Sequence, residues 1–349
     1  MLVFVVGIKS RRMSMKIGVD IGGTHILAVL MNAEDPAVTR RAHKVVSTEN
    51  RKDQQYVINL IVEAITELLS SDTDSLKKLD GIGFAVPGNV DPSNGQTRYL
   101  PNFGWLEPVD LKARVLAGLP KAYKDTKVEM RNDGRCAALA EYKYGRGKGR
   151  NDSVFSMLTL GTGIGGAVLI NGNLFDGSSF DAGDFGHHVI SSGKDAFECV
   201  CGKVGCFETH ASAAGLVRHY NHIIPNNSAS WHALSLDDAR SVVDAFQDES
   251  PVEKPTSRDL AKKAFQNWLG DLSNGLANLI TFYNPSCIVL GGGMSKFEDL
   301  LQELPQLGRD SLQAEVDKLT LPATRGRCAI LTSSLGDDAG AVGAALLIQ

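Results

Sequence analysis

Two short apolar, β-rich runs, Ile17 to Val19 and Ile26 to Leu30, are joined through Gly22, Gly23 and Thr24, which predicts a strand, a glycine turn and a returning strand. The plan recurs downstream: Val154 to Leu160, then GTGIGG, then Ala167 to Ile170 ahead of an Asn171–Gly172 turn. One device is used twice. Between the two, Asp53 to Leu69 carries apolar residues at 57, 58, 61, 62, 65, 68 and 69, a helical stripe that should cover one face of the first sheet. Gly81 to Gln96 reads as a strand entering a turn-rich loop, and Leu100 to Trp105 as a second loop, anchored by Phe103 and Trp105. After Val128 a short strand runs into a helix with body CAALAEYKY and Gly145 as its C′ residue, which puts Asn132 and Asp133 at the helix mouth. Leu236 to Phe246 and Leu260 to Phe282 read as helices. PSCIVLGGGMSKFEDLLQEL reads as a strand, three glycines and a helix, and DDAGAVGAALLI as a closing helix whose small residues suit a tight packing surface.

A chain of 349 residues, 43% of them hydrophobic, holds about two domains. Its net charge of −4, with no dominant Lys/Arg run, gives no footprint for nucleic acid; the most basic stretch, Lys143 to Arg150, is interleaved with glycine and reads as a solvated loop. The opening MLVFVVGI is too short to span a bilayer, and its charges (Lys9, Arg11, Arg12) follow the apolar run, so no membrane segment is expected. Organised sequence begins at Lys16, so Met13 and Met15 fit a start as well as Met1 does. Cys136, Cys287 and Cys328 sit singly in apolar surroundings as core residues, which fits a reducing, cytoplasmic setting and no disulfide framework.

The chemistry-bearing residues gather in three places. Ala182 to Glu208, AGDFGHHVISSGKDAFECVCGKVGCFE, packs three of six cysteines and two of eight histidines into 27 residues. Cys199, Cys201 and Cys206 with His187 or His188 make a Cys₃His set suited to a closed tetrahedral Zn²⁺ site, and C-x-C is not the spacing of a redox pair. The glycine turns Gly22–Gly23–Thr24 and Gly161–Thr162–Gly163 could cradle phosphates through backbone N–H groups. Asp20, two residues before the first Gly-Gly, could hold Mg²⁺ directly or through water. Gly161, Gly163 and Gly166 satisfy G-x-G-x-x-G, but a returning strand follows where a dinucleotide site needs a helix, and no Walker A loop occurs. On its own, Asp133 reads equally as a helix N-cap or as a functional carboxylate.

DIGGT (20–24), VPG (86–88), PNFGW (101–105), ND (132–133), LGTGIGG (160–166), AGDFGH (182–187), CVCGKVGCFE (199–208) and LGGG (290–293) stand in the order of the ROK family, and within it the chain resembles the bacterial glucokinases. The resemblance covers nearly the whole chain from residue 16. It implies an α/β, two-lobed fold of the actin and hexokinase (ribonuclease H-like) type, with ATP in an interlobe cleft and a hexose beside it. The small lobe would be 16–133 completed by 337–349, and the large lobe 134–336 with the zinc motif at 187–206. By the same match Asp133 is the general base toward the sugar 6-hydroxyl. Asn132, Asp184, His187 and Glu208 surround the sugar hydroxyls with Gly88 and Asn102, and Gly291 and Gly292 approach the adenine. The motif makes His187 the zinc ligand, which the metal would aim at the sugar while seating the strand that carries Glu208. Asp184 stands where the family usually has Glu, and His25 where Lys often follows Gly-Gly-Thr. The resemblance points to a glucose 6-kinase using ATP or polyphosphate, against an N-acetylglucosamine or N-acetylmannosamine kinase. Homodimers are common among the relatives. The family's repressors carry a helix-turn-helix domain, for which the 19 residues before Asp20 leave no room.

Overall fold

The computed structural model describes residues 14–32, 38–70, 79–100, 103–150, 152–224, 233–247, 257–296 and 311–349. Two units are distinguished by their internal packing, Met1–Ala140 with Asp337–Gln349, and Glu141–Gly336. In the first, β1 (Met15–Ile21) and β2 (His25–Asn32) form the first predicted hairpin, with Ile21 opposite Ile26. β3 (Val38–Val45) extends it antiparallel, and β4 (Leu79–Val86) lies parallel to β1. The segment after β4, read as turn-rich loop, contains a small hairpin of β5 (Asn89–Asp91) and β6 (Gln96–Tyr99). These strands are too short to show a periodicity. β7 (Val128–Asn132) completes the main sheet in the order β3-β2-β1-β4-β7.

The two faces of this sheet differ because β1 and β4 alternate large and small residues. Ile17, Val19, Ile21, Ile82, Phe84 and Val86 share a core with helix α1 (Gln54–Ser70). Asp53 caps α1, its carboxylate accepting from Gln55 N at 2.8 Å and Tyr56 N at 3.2 Å. The buried stripe of α1 is Val57, Ile58, Ile61, Ala64, Ile65, Leu68 and Leu69; Val62, expected in it, is only half-buried, and Ala64 takes its place. Phe103 and Trp105 join the same core, and Trp105 Nε1 donates to Lys52 O at 3.2 Å.

On the other face Gly18 and Gly83 let the C-terminal helix Ala339–Leu346 lie flush on the strands. A Cβ at Gly18 would stand 1.9 Å from Ala341 O, and one at Gly83 1.8 Å from Ala344 O. Arg41 pairs with Asp338 at 2.5 Å, and Lys16 donates to Ile348 O at the helix end. Because backbone obstructs position 83, Gly83→Ala should lower stability by about 3 kcal/mol in urea denaturation, the upper range for overpacking. A loss below about 1 kcal/mol would mean that the helix shifts freely.

Helices α2 (Leu111–Gly118) and α3 (Asp133–Tyr144) precede and follow β7 in the chain, and the sheet of the second unit repeats the first. β8 (Val154–Leu160) and β9 (Ile164–Ile170) form the second predicted hairpin, and β10 (Asn173–Leu174) adds antiparallel. Asn171 and Gly172, with φ of 51° and 78°, turn β9 into β10 in the doubly left-handed conformation that Asn-Gly favours. Beyond helices α4 (Phe207–Ala211), α5 (Ala213–Ile223), α6 (Ala239–Gln247) and α7 (Ser257–Tyr283), strands β11 (Cys287–Gly291) and β12 (Ala329–Thr332) add parallel to β8. The order β10-β9-β8-β11-β12 has the same succession of antiparallel and parallel pairs as the first sheet. The helix expected after Gly293 falls largely on 297–310, outside the described residues. Among the described residues no helix is long and apolar enough to cross a membrane.

Candidate active site and zinc centre

β1, β4 and β7 run parallel, so their carboxyl ends share one edge, where open α/β sheets present ligand-binding loops. That edge carries Asp20, Gly88 and Asn132–Asp133. Gly88 has φ 87°, and its carbonyl accepts from Asn132 Nδ2 at 3.1 Å. Asn132 Oδ1 accepts from Gly134 N at 3.0 Å, so Asn132 caps α3, and Asp133, the first helical residue, is not the cap. Asp133 Oδ1 also accepts from Gly134 N, at 2.8 Å. Burial pushes the Asp133 carboxyl above the usual carboxylate range despite hydrogen bonds from Gly134, its own N–H and Asn132. Asp20 is pushed up to about 7, first by burial and then by the charge of Asp133. The two carboxyls act on each other, a device that favours a bound cation or a retained proton.

Gly340 backs this pair: a Cβ there would stand 2.2 Å from Asp20 Oδ2, so the C-terminal helix confines the carboxylate. The Gly22–Thr24 turn follows Asp20 directly and is closed by Gly22 N donating to His25 O at 2.8 Å. His25 Nδ1 lies 3.0 Å from Thr24 Oγ1, and its ring stacks on His43 at 4.9 Å. Asn102 lies outside the described residues.

In the second unit Glu208 organises the other glycine turn. Its Oε2 accepts from Ile164 N at 2.9 Å, and a Cβ at Gly163 would come within 2.3 Å of the same oxygen. Glu208 was expected on a strand but sits in α4, a five-residue helix begun by Cys206 as N-cap, because Cys206 is already extended when the chain turns into Phe207. Gly161 N donates to Gly163 O at 2.9 Å, leaving Thr162 exposed at the tip. Gly292, with φ 84°, rests on Leu160 O just after Gly291 ends β11, so the LGGG glycines adjoin the end of β8. The AGDFGH loop folds onto β9, where Gly186 would meet Ile164 O at 2.3 Å if it bore a Cβ. Asp184 is exposed and caps the Phe185–His187 turn without using its side chain, which leaves that carboxylate for a ligand.

His187, Cys199, Cys201 and Cys206 offer ligand atoms all within 4.8 Å of one another. His187 Nδ1 is 3.6 Å from Cys199 Sγ, and Cys201 Sγ is 3.6 Å from Cys206 Sγ. Tetrahedral zinc with its usual bond lengths separates an N and an S ligand by about 3.6 Å and two sulfurs by about 3.8 Å, so the donor set fits the ion. Burial and the neighbouring thiols push the Cys206 thiol up to about 12, so thiolates gathered this closely need a cation. His188 stands apart: its Nδ1 faces Phe185 O at 2.6 Å and its Nε2 faces Asn278 Nδ2 at 3.4 Å, so both nitrogens are engaged.

Sequence reasoning missed the face of α7 that seats these parts. Trp268 Nε1 donates to Ser212 O at 3.0 Å, Asp271 Oδ2 lies 2.8 Å from His210 Nδ1, and Asn278 meets His188. Gly275 admits the Phe207 ring, which a Cβ would approach to 2.1 Å. Positions 268, 271, 275 and 278 form one helical stripe. Its mixed chemistry, Trp, Asp, Gly and Asn, hides it from a search for apolar periodicity.

A family model described as ROK family matches residues 16–349. The chain belongs to the ROK family. Its fold is accordingly of the actin and hexokinase type. The glucokinase of Halalkalibacterium halodurans is 30% identical over 334 residues, 95% of this chain and 94% of that one. The N-acetylgalactosamine kinase AgaK of Shewanella sp. is also 30% identical, over 95% of each chain. The crystal structure of a ROK family glucokinase from Streptomyces griseus, in complex with glucose and AMPPNP, matches with a TM-score of 0.67 at 28% identity, over 96% of this chain and 99% of that one.

Proposed function

We propose that this ROK protein is a cytoplasmic, ATP-dependent hexose kinase that phosphorylates the 6-hydroxyl of glucose. The observation that carries the reading is the strand edge of the first unit, where β1 and β7 deliver Asp20 and Asp133 as a mutually repelling carboxylate pair. Asp133 takes the proton from the sugar 6-hydroxyl, and its raised pKa makes it a better base near neutrality than an ordinary carboxylate. Asn132 and Gly88 orient the sugar beside it, with Asp184, His187 and Glu208 as further partners and Asn102 assigned from its motif alone. Gly22, Gly23, Thr24, Gly161, Thr162 and Gly163 are assigned to phosphate groups, and Gly291 and Gly292 to the adenine side. Asp20 holds Mg²⁺, directly or through water, and the ion when bound offsets phosphate charge.

Zinc is held by His187, Cys199, Cys201 and Cys206 as a structural ion. With Nδ1 of His187 toward the sulfurs, Nε2 remains as a donor for a sugar hydroxyl. Stoichiometric zinc is expected by metal analysis, and Cys199→Ser should lose it and raise the hexose KM at least tenfold. A metal-free preparation with normal kinetics would remove the ion from the reading.

The relative that phosphorylates N-acetylgalactosamine, at the same identity as the glucokinase, favours a second reading, an N-acetylhexosamine kinase. A coupled assay with ATP across glucose, mannose, fructose, N-acetylglucosamine, N-acetylmannosamine and N-acetylgalactosamine separates the two. Glucose should give the highest kcat/KM. Turnover on none of them, with sugar binding retained, would replace the kinase by a sugar-binding regulator.

A further inference from the structure

His210, His219 and Asp271 meet in the second unit, and their hydrogen bonds can be followed atom by atom. Asp271 Oδ2 faces His210 Nδ1 at 2.8 Å and His219 Nε2 at 3.1 Å. Phe197 N donates to His210 Nε2 at 3.2 Å. A ring nitrogen that accepts a backbone N–H carries no proton, so His210 is the Nδ1–H tautomer and donates to Asp271. The Phe197 ring stacks on His210 at 4.6 Å, and His219 Nε2 also lies 3.1 Å from His210 O. Burial works to raise Asp271, but the hydrogen bonds from the two histidines outweigh it and hold the carboxyl at about 2.

Two uses of such a cluster are thereby excluded. A cation between the three side chains would need a lone pair on His210 Nδ1, yet Nε2 already lends its lone pair to Phe197, and no neutral imidazole has both. A proton relay would need one free nitrogen, and both nitrogens of His210, a 1% exposed residue, are engaged with protein.

The hydrogen bonds lead instead into the stem of the zinc motif. Phe197 O accepts from Gly205 N at 2.8 Å, so this residue joins the arm before Cys199 to the arm before Cys206, and Glu198 bridges to Val204 between them. His210 itself follows Cys206 by four residues on α4. A path from α7 through one imidazole therefore reaches both arms of the loop that bears three of the four ligands.

We propose that Asp271 and His210 are positioning residues that hold the Cys199–Cys206 loop in the register zinc requires. The proposal rests on the zinc reading above. Asp271 fixes the tautomer and angle of the imidazole, the imidazole fixes the Phe197 peptide, and the ligand sulfurs are set before the metal arrives. His187 is then aimed with the ion.

The test compares the full-length, zinc-loaded protein with His210→Phe, which keeps the ring stack but loses both nitrogens, and Asp271→Asn, which keeps an acceptor oxygen for His210. Transfer of zinc to a chromogenic chelator should be about tenfold faster in His210→Phe, the lower end of what loss of an outer partner does to a metal site, and faster to a smaller degree in Asp271→Asn. Amide exchange over 197–206 should rise while α1 stays unchanged, and the hexose KM should rise severalfold with the ATP KM unmoved. Wild-type zinc transfer and wild-type exchange in both variants would overturn the proposal, as would an equal rise in both KM values. If His210→Phe does not fold, Asp271→Asn decides by the same measurements. Should the wild type hold no zinc, the zinc reading fails by itself, and unchanged exchange over 197–206 in the variants still overturns the positioning role.

Discussion

Asp133→Asn should lower kcat about a thousandfold while the hexose KM moves less than about threefold, the split expected when a general base is lost and binding is kept. The amide preserves shape and can still accept from Gly134 N, so α3 keeps its start, and Asn132 remains the cap. What disappears is the carboxylate proposed to take the proton. The wild-type pH profile supplies an independent check. Because burial raises the Asp133 carboxyl, the base is protonated at a higher pH than an ordinary carboxylate, so the acid-side fall of kcat/KM should lie above the pH at which an unperturbed carboxylate titrates. An acid limb near 4, or an Asp133→Asn enzyme within tenfold of wild type, would take the role from this residue.

Asp20→Asn should move activity and stability in opposite directions. Nucleotide turnover should drop at least a hundredfold, since the carboxylate nearest the first glycine turn is gone. In chelator, however, the variant should be more stable than wild type by about 2 kcal/mol at pH 8. Unfolded, the group titrates near 3.8; folded, it is raised to about 7. Between these values the native state keeps a proton that the unfolded state releases, so wild-type stability falls as pH rises. The figure is about half of what the full shift carries, because the partly exposed side chain is screened. The gain should be complete above pH 7, less than half as large at pH 5, and absent below 4. Urea denaturation at pH 5 and 8 measures it, and an equal gain at both would show that packing is responsible.

The glycine-tipped hairpins, the stripe of α1, the closing helix and the Cys₃His spacing were all legible in the sequence, because each is a local pattern with its own mechanism. The strand edge was not. Asp20 and Asp133 are 113 positions apart, and only the parallel register of β1, β4 and β7 brings them to one place. β3, with charged residues at Arg40, Arg41 and Lys44, has too few apolar positions to read as a strand, yet it pairs along the length of β2. Glu208 was expected on a strand and sits in α4, whose packing against α7 no local rule encodes. Those same contacts, from Trp268, Asp271 and Gly275, sit on a helix whose sequence advertises only its apolar side.

Gly18 and Gly83 tie together parts of the first unit that lie far apart in the chain. The helix that presses on them starts just over 200 residues after β7, the strand that completes the sheet it covers. Until then the nascent first unit exposes a bare glycine floor and an unconfined Asp20. The edge that carries Asp20 is thus finished only after the intervening second unit has been made, so its completion is a late event in folding.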